Sequence, residues 1–164
     1  MGVTTIDELT TYLRSSRGFD GPAVLDVKVD RVAAWFAEEG IDAAVVGVSG
    51  GIDSAVVLAL LRRVAVRPDT ALRRVIGLVA PIERPGATGQ ARAAQRGMEV
   101  VEAVGAELWH TPLGAVQDAA VTALADAAGT SLDDWTAGQL LSVVRTPVLY
   151  GAAAVLQAAG HRSV

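Results

Sequence analysis

Ser49, Gly50, Gly51, Asp53 and Ser54 bring two hydroxyls, a carboxylate and two residues without a Cβ into six positions of sequence. Backbone with so little side chain lets main-chain N–H groups approach an anion closely. The residues on either side strengthen that reading. Ala44 to Val48 is a short apolar run without helical periodicity, as expected of a strand covered on both faces. Ala55 to Leu61 reads as a buried helix. A strand, a glycine turn and a helix N-terminus in that order form an anion site, where unpaired N–H groups and the positive end of the helix dipole converge.

The anion can be narrowed by elimination. A Walker loop needs Gly-x-x-x-x-Gly-Lys-Ser/Thr, and no lysine lies near this turn. A dinucleotide fingerprint fits poorly, because the third glycine is missing and no acidic ribose ligand follows. The letters do match Ser-Gly-Gly-x-Asp-Ser, and the stretch GVSGGIDSAVVLALL, with Gly47 and Val48 leading into the turn, resembles the pyrophosphate loop of the ATP pyrophosphatase superfamily in its ammonia-dependent NAD synthetase branch.

Composition sets outer bounds. The chain has 164 residues, 51% of them hydrophobic and 20% charged, enough for one domain with a core. A net charge of −4 gives no general attraction to nucleic acid. There is no cysteine, which excludes disulfides, thiolate zinc sites and the persulfide chemistry of the sulfur-transferring relatives. Apolar runs are broken by Arg, Asp or Glu short of about 18 residues, and no basic segment precedes an apolar one at the N-terminus. These features predict a soluble, cytoplasmic protein with neither a membrane nor a nucleic acid as partner. The tail GAAAVLQAAG is small and apolar, and an exposed helix of that kind is expected to pack into a partner.

The surrounding elements must hold the turn in place. Thr4 to Arg14 reads as a short amphipathic helix capped by Thr4 or Thr5, Arg17 to Pro22 as a linker, and Val24 to Glu39 as a second helix stopped by Gly40. Residues 1–22 are thus expected to precede a nucleotide-binding domain of residues 23–164. Arg74 to Ala80 is a second buried strand, so the first crossover is parallel and the ligand belongs above the carboxyl ends of the strands. Pro81 to Gly89 is too rich in proline and glycine for regular structure. A helix over 91–104, a strand over 107–110 and a helix over 113–127 follow. Trp135 to Ala159 is mostly helical, with Pro147 kinking or dividing it and Thr146 available to cap a second piece. His161 to Val164 begins a fourth strand. The expected fold class is α/β, a doubly wound parallel sheet of about three strands, and the resemblance implies the three-layer adenine nucleotide α-hydrolase type.

The resemblance carries further implications. It implies ATP with Mg²⁺, the amides of Ser49, Gly50 and Gly51 and the hydroxyls of Ser49 and Ser54 holding pyrophosphate, and Asp53 binding the metal. Family members carry a later pattern, Asp-Phe-x-x-Gly-Asn-x-Lys-Ala-Arg-x-Arg with a tyrosine five residues on, and Asp134, Trp135, Gly138, Arg145 and Tyr150 follow it in order. By that match Arg145 would steady phosphate charge as a catalytic residue beside Asp53, and Trp135 and Gln139 would meet a planar acyl substrate. Gln139, Leu141 and Val143 replace the family's asparagine, lysine and first arginine, and Val79 replaces an arginine before Pro81. Each residue also has a plain structural reading: a first-turn acid for Asp53, a surface ion pair for Arg145, a packed aromatic for Trp135.

The family's next motif, Val-x-Gly-Thr-x-Asn/Asp-x-x-Glu, is absent from the sequence. The resemblance therefore implies the ATP-binding part of an AMP-forming amide ligase that activates a carboxylate and transfers ammonia or an amine. A second polypeptide would supply the C-terminal half within an oligomer. The alternative from another class is a non-catalytic adenine nucleotide sensor or scaffold. His110 and His161 lie far apart without ligand spacing and read as structural, while Arg62, Arg63, Arg73 and Arg74 read as a solvated rim. Glu83 and Arg84 lie on the Pro/Gly-rich segment, where they could close over ATP.

Overall fold

The computed structural model describes residues 5–16, 18, 20–82 and 88–164. Glu83 and Arg84 therefore lie outside the described residues. The elements are α1 (Ile6–Ser16), α2 (Gly21–Glu39), β1 (Ala43–Gly47), α3 (Ile52–Ala65), β2 (Arg74–Val79), α4 (Thr88–Val104), β3 (Glu107–His110), α5 (Gly114–Ala128) and α6 (Asp134–Ala158).

Three parallel strands pair in the order β1-β2-β3, with Val45 opposite Ile76 and Leu78 opposite Trp109. A parallel bridge between Ala43 and Ser163 lies outside these strands, and Val45 N–H donates to the Val164 carbonyl at 2.8 Å. His161 to Val164 thus opens a fourth strand on the flank of β1 opposite β2. This reverses the winding direction at β1, the place where doubly wound sheets bind ligands.

Both faces of the sheet are covered, and the strand period of two sorts the residues. Ala44, Val75 and Val79 face α2, α3 and α4 in one core with Phe36, Leu58 and Val101. Ala43 and Ile76 face the other way onto Leu156 of α6. A third cluster, Ile82, Leu113 and Val144, joins the end of β2 to α5 and α6. The result is the three-layer α/β/α arrangement read from the sequence. A Cβ at Gly77 would overlap the Val101 side chain, so this glycine sets how closely α4 approaches the sheet.

Helix ends follow local chemistry. Thr5 and Glu8 form a reciprocal capping box before α1, although no residue of α1 is buried. Asp20 caps α2 by accepting from Ala23 N–H at 3.2 Å, and Gly40 ends it at φ 63°. Gly21 and Pro22 are consequently helical, not linker: a first-turn proline gives up an N–H that has no partner in the helix anyway. Helix α4 likewise begins at Thr88, ahead of the expected Ala91.

Pro147 does not divide α6, and Thr146 caps nothing, since the helix runs from Asp134 to Ala158. The ring removes the N–H that would serve the Val143 carbonyl, and that flank is exposed, so water can take its place. By length and composition Trp135–Ala158 would suffice to cross a membrane, with only 19% of its most apolar window buried. The expected interruption by a charge is present: Arg145 divides this helix into two uncharged stretches, each shorter than about 18 residues. Arg145 at its middle is bonded into the domain, and the Ser163 hydroxyl donates to the Ala153 carbonyl at 2.6 Å, which ties α6 to the α/β body.

A polar chain crosses the amino ends of the strands. Arg74 at the start of β2 grips both carboxylate oxygens of Glu107 at 2.8 Å and also meets His161 Nε2 at 3.1 Å. With the guanidinium donating to Nε2, the imidazole N–H is on Nδ1 and donates to Asp42 at 3.1 Å. The structural role read for His161 is thus to hold the fourth strand against β1.

Candidate functional site

The site is built where β1 runs out. Val48 is buried and its N–H donates to the Leu78 carbonyl at 2.8 Å, so the backbone is still clamped to β2 one residue before the turn. Gly50 then turns the chain at φ 78°, and Gly51 stands as the residue before α3 with no side-chain cap. The first-turn N–H groups of α3 thus open toward the carboxyl ends of the strands, where an anion would find both donors and dipole.

The two serines brace this turn. Ser49 N–H donates to Ser54 Oγ at 3.2 Å, Gly51 N–H donates to Ser49 Oγ at 3.3 Å, and Ser54 Oγ donates to the Gly51 carbonyl at 3.1 Å. The amides of Ser49 and Gly51 are therefore satisfied by hydroxyl oxygens of the turn itself. An arriving anion could replace them with little loss of hydrogen bonding.

Helix α4 fixes the turn from the side. A Cβ on Gly50 would collide with the Ala93 carbonyl oxygen, and one on Gly97 would come within 3.2 Å of the Val48 oxygen. Both glycines are therefore set by close approach, and Gly50 by its backbone angle as well.

A cavity of about 280 Å³ opens between the turn and α6, lined by Ser49, Leu78, Pro81, Gln90, Arg145 and Leu149 among others. Arg145, half-buried on α6, donates from Nε to the Ala80 carbonyl at 3.0 Å and from Nη2 to Gln90 Oε1 at 3.0 Å. Residues nearly a hundred positions apart, Ser49 and Arg145, thus share one chamber. Its apolar walls suit a flat ring system, while the serine and arginine suit phosphate oxygens.

The other candidates fall elsewhere. Asp53 is exposed in the first turn of α3 and does not line the cavity, and neither do Gly50, Gly51 or Ser54. Trp135 is 75% exposed and Gln139 is exposed, both at the start of α6 and away from the chamber. Among the described residues no group of three His, Cys, Asp or Glu could enclose a metal ion. The one acid beside the turn fits Mg²⁺ only in the usual nucleotide-bound manner, where one or two carboxylates share the ion with phosphate oxygens and water. Sequence reasoning missed Gln90, Ala93, Arg96 and Leu149. Gly97, placed four residues before Val101 on the same helix face, was the available sign that α4 presses on the turn.

A doubly wound three-layer sheet with a Ser-Gly-Gly-x-Asp-Ser turn at its switch strand defines a nucleotide-type α/β domain. The family model for NAD synthase matches residues 24–158, and the chain belongs to that family. Among solved structures it resembles an NAD⁺ synthetase from Burkholderia pseudomallei, with a TM-score of 0.69 at 24% identity over 84% of this chain and 59% of that one. An NH3-dependent NAD synthetase from Campylobacter jejuni subsp. jejuni NCTC 11168 matches with a TM-score of 0.65 at 20% identity over 84% of this chain and 53% of the other. An NMN synthetase from Francisella tularensis gives 0.65 at 18% identity over 82% and 50%. At these identities the likeness establishes the fold. The chain spans between 50% and 59% of the length of these structures. No curated protein matches it.

Proposed function

We propose that this chain is the ATP-binding part of an AMP-forming amide ligase. It would activate a carboxylate by adenylation and pass the acyl group to ammonia or an amine. The observation that carries the reading is the chamber shared by Ser49 and Arg145 at the carboxyl ends of β1 and β2. There the braced turn would receive the departing pyrophosphate and Arg145 would offset charge developing on the α-phosphate. Mg²⁺, held by Asp53 together with phosphate oxygens, would supply charge neutralisation. The chain's own part is otherwise to orient the triphosphate and keep it among apolar walls.

In this reading a second polypeptide completes the site. Support comes from an apolar groove of about 980 Å³ beside β1, lined by Val32, Trp35, Val46, Leu61, Leu149 and Tyr150 among others. A cytoplasmic location accords with this chemistry, which draws on ATP.

A non-catalytic nucleotide sensor is the second reading, favoured by one observation. Trp135 and Gln139, the candidates for acyl substrate, do not converge on the chamber. Titration calorimetry with ATP and Mg²⁺ tests both, and absence of binding rejects both. Pyrophosphate release in the presence of carboxylate and ammonia, with polypeptides encoded next to this one added in turn, then separates them. Turnover with a partner supports the ligase, and binding without turnover in any combination supports the sensor.

A further inference from the structure

Arg96 lies on α4, outside the phosphate loop, yet its Nε donates to the Gly50 carbonyl at 3.3 Å. That carbonyl belongs to the Gly50–Gly51 peptide, flanked on both sides by a residue without a Cβ. A trans peptide points its C=O and N–H in opposite directions. Holding the Gly50 oxygen toward α4 therefore turns the Gly51 N–H away from α4, and it is found on Ser49 Oγ at 3.3 Å.

Charge adds a second reason. Lys28 is the chain's one lysine and lies on α2, so every cation near the turn is an arginine. With Nε on the Gly50 carbonyl, the guanidinium of Arg96 is held within hydrogen-bonding distance of the turn.

We propose that Arg96 is a positioning residue of the phosphate loop. It orients the Gly50–Gly51 peptide so that the Gly51 amide faces the anion, and brings a positive charge to a loop that lacks a lysine. This rests on the nucleotide reading above and assigns a role within that same site to a residue of a different helix. Arg96 is exposed, so its replacement leaves the cores intact.

Amide hydrogen exchange on the ligand-free chain tests the clamp directly. Arg96→Ala should raise exchange at Gly51 about tenfold and leave the β1 and β2 amides unchanged. Arg96→Gln, which keeps a donor without the charge, should restore most of the protection. Calorimetry then compares ATP with adenosine. Arg96→Ala should weaken ATP about tenfold and leave adenosine unaffected. Unchanged Gly51 exchange in Arg96→Ala overturns the clamp, and equal losses of ATP and adenosine overturn the anion-specific role. If the wild-type chain binds no ATP, the nucleotide reading fails, while the exchange comparison still decides the clamp.

Discussion

Arg145 Nη2 and Gln90 Oε1 lie 3.0 Å apart across the mouth of the chamber, joining the middle of α6 to the first turn of α4. The guanidinium is thus aimed before any ligand arrives, with Nε spent on the Ala80 carbonyl and Nη2 on the glutamine. Arg145→Ala removes charge-assisted donors and should weaken ATP by about tenfold or more. Gln90→Ala leaves the charge in place and should cost only a few-fold. Calorimetry on the two variants checks the ranking, and equal losses would remove Arg145 from the phosphate site.

Gly50 should be the least replaceable residue of the turn. A left-handed backbone costs an ordinary residue about 1–2 kcal/mol, and the new methyl would also strike the Ala93 carbonyl. Gly50→Ala is expected to lower the melting temperature and abolish ATP binding. Gly51→Ala makes the contrast: at φ −96° its Cβ would sit 3.4 Å from Ser49 Oγ, an ordinary contact. Its stability should stay within about 0.5 kcal/mol of wild type in thermal unfolding.

Asp53→Asn separates the metal role from the helix role. As an exposed first-turn acid, Asp53 should contribute about 0.3–1 kcal/mol to α3 through the dipole. The metal role shows up elsewhere. In the wild type Mg²⁺ should strengthen ATP binding, and in the variant that gain should vanish. A variant that responds to Mg²⁺ as the wild type does would return Asp53 to a purely local role.

Acid sensitivity should centre on the amino ends of the strands. The bidentate hydrogen bonds from Arg74, then the Trp109 indole N–H, hold the Glu107 carboxyl below its usual 4.5. A carboxylate lowered by folding stabilises the native state fully above its unfolded value, and that contribution is lost as pH falls through the folded value. Glu107 is largely exposed, so solvent screens the effect and it is small. Urea unfolding from about pH 6 to about pH 3 should show a steeper loss of stability for wild type than for Glu107→Gln. Parallel curves would remove this pair from the acid response.

The sequence made the turn, both long strands and the parallel crossover legible, because each depends on adjacent residues: glycines at one bend, apolar runs without helical period, and Gly40 as a stop. What it left hidden depends on tertiary approach. Nothing local to Arg96 or Gln90 says that α4 lies against the turn, and nothing local to Pro147 says that its lost bond faces water. Arg145 could be placed only through the family pattern, and the chamber it shares with Ser49 needed the packing of α6. Trp135 and Gln139 stand at positions of that same pattern, Gln139 in place of its asparagine, but at the exposed start of α6 neither reaches the chamber.

Beyond Val45, β1 has no hydrogen-bonded neighbour among the described residues on its outer side, and a broad greasy trough runs alongside it. Bare strand flanks of this sort recruit whatever extended chain is at hand, including another molecule of the same kind. Purified alone, the polypeptide should therefore self-associate increasingly as it is concentrated.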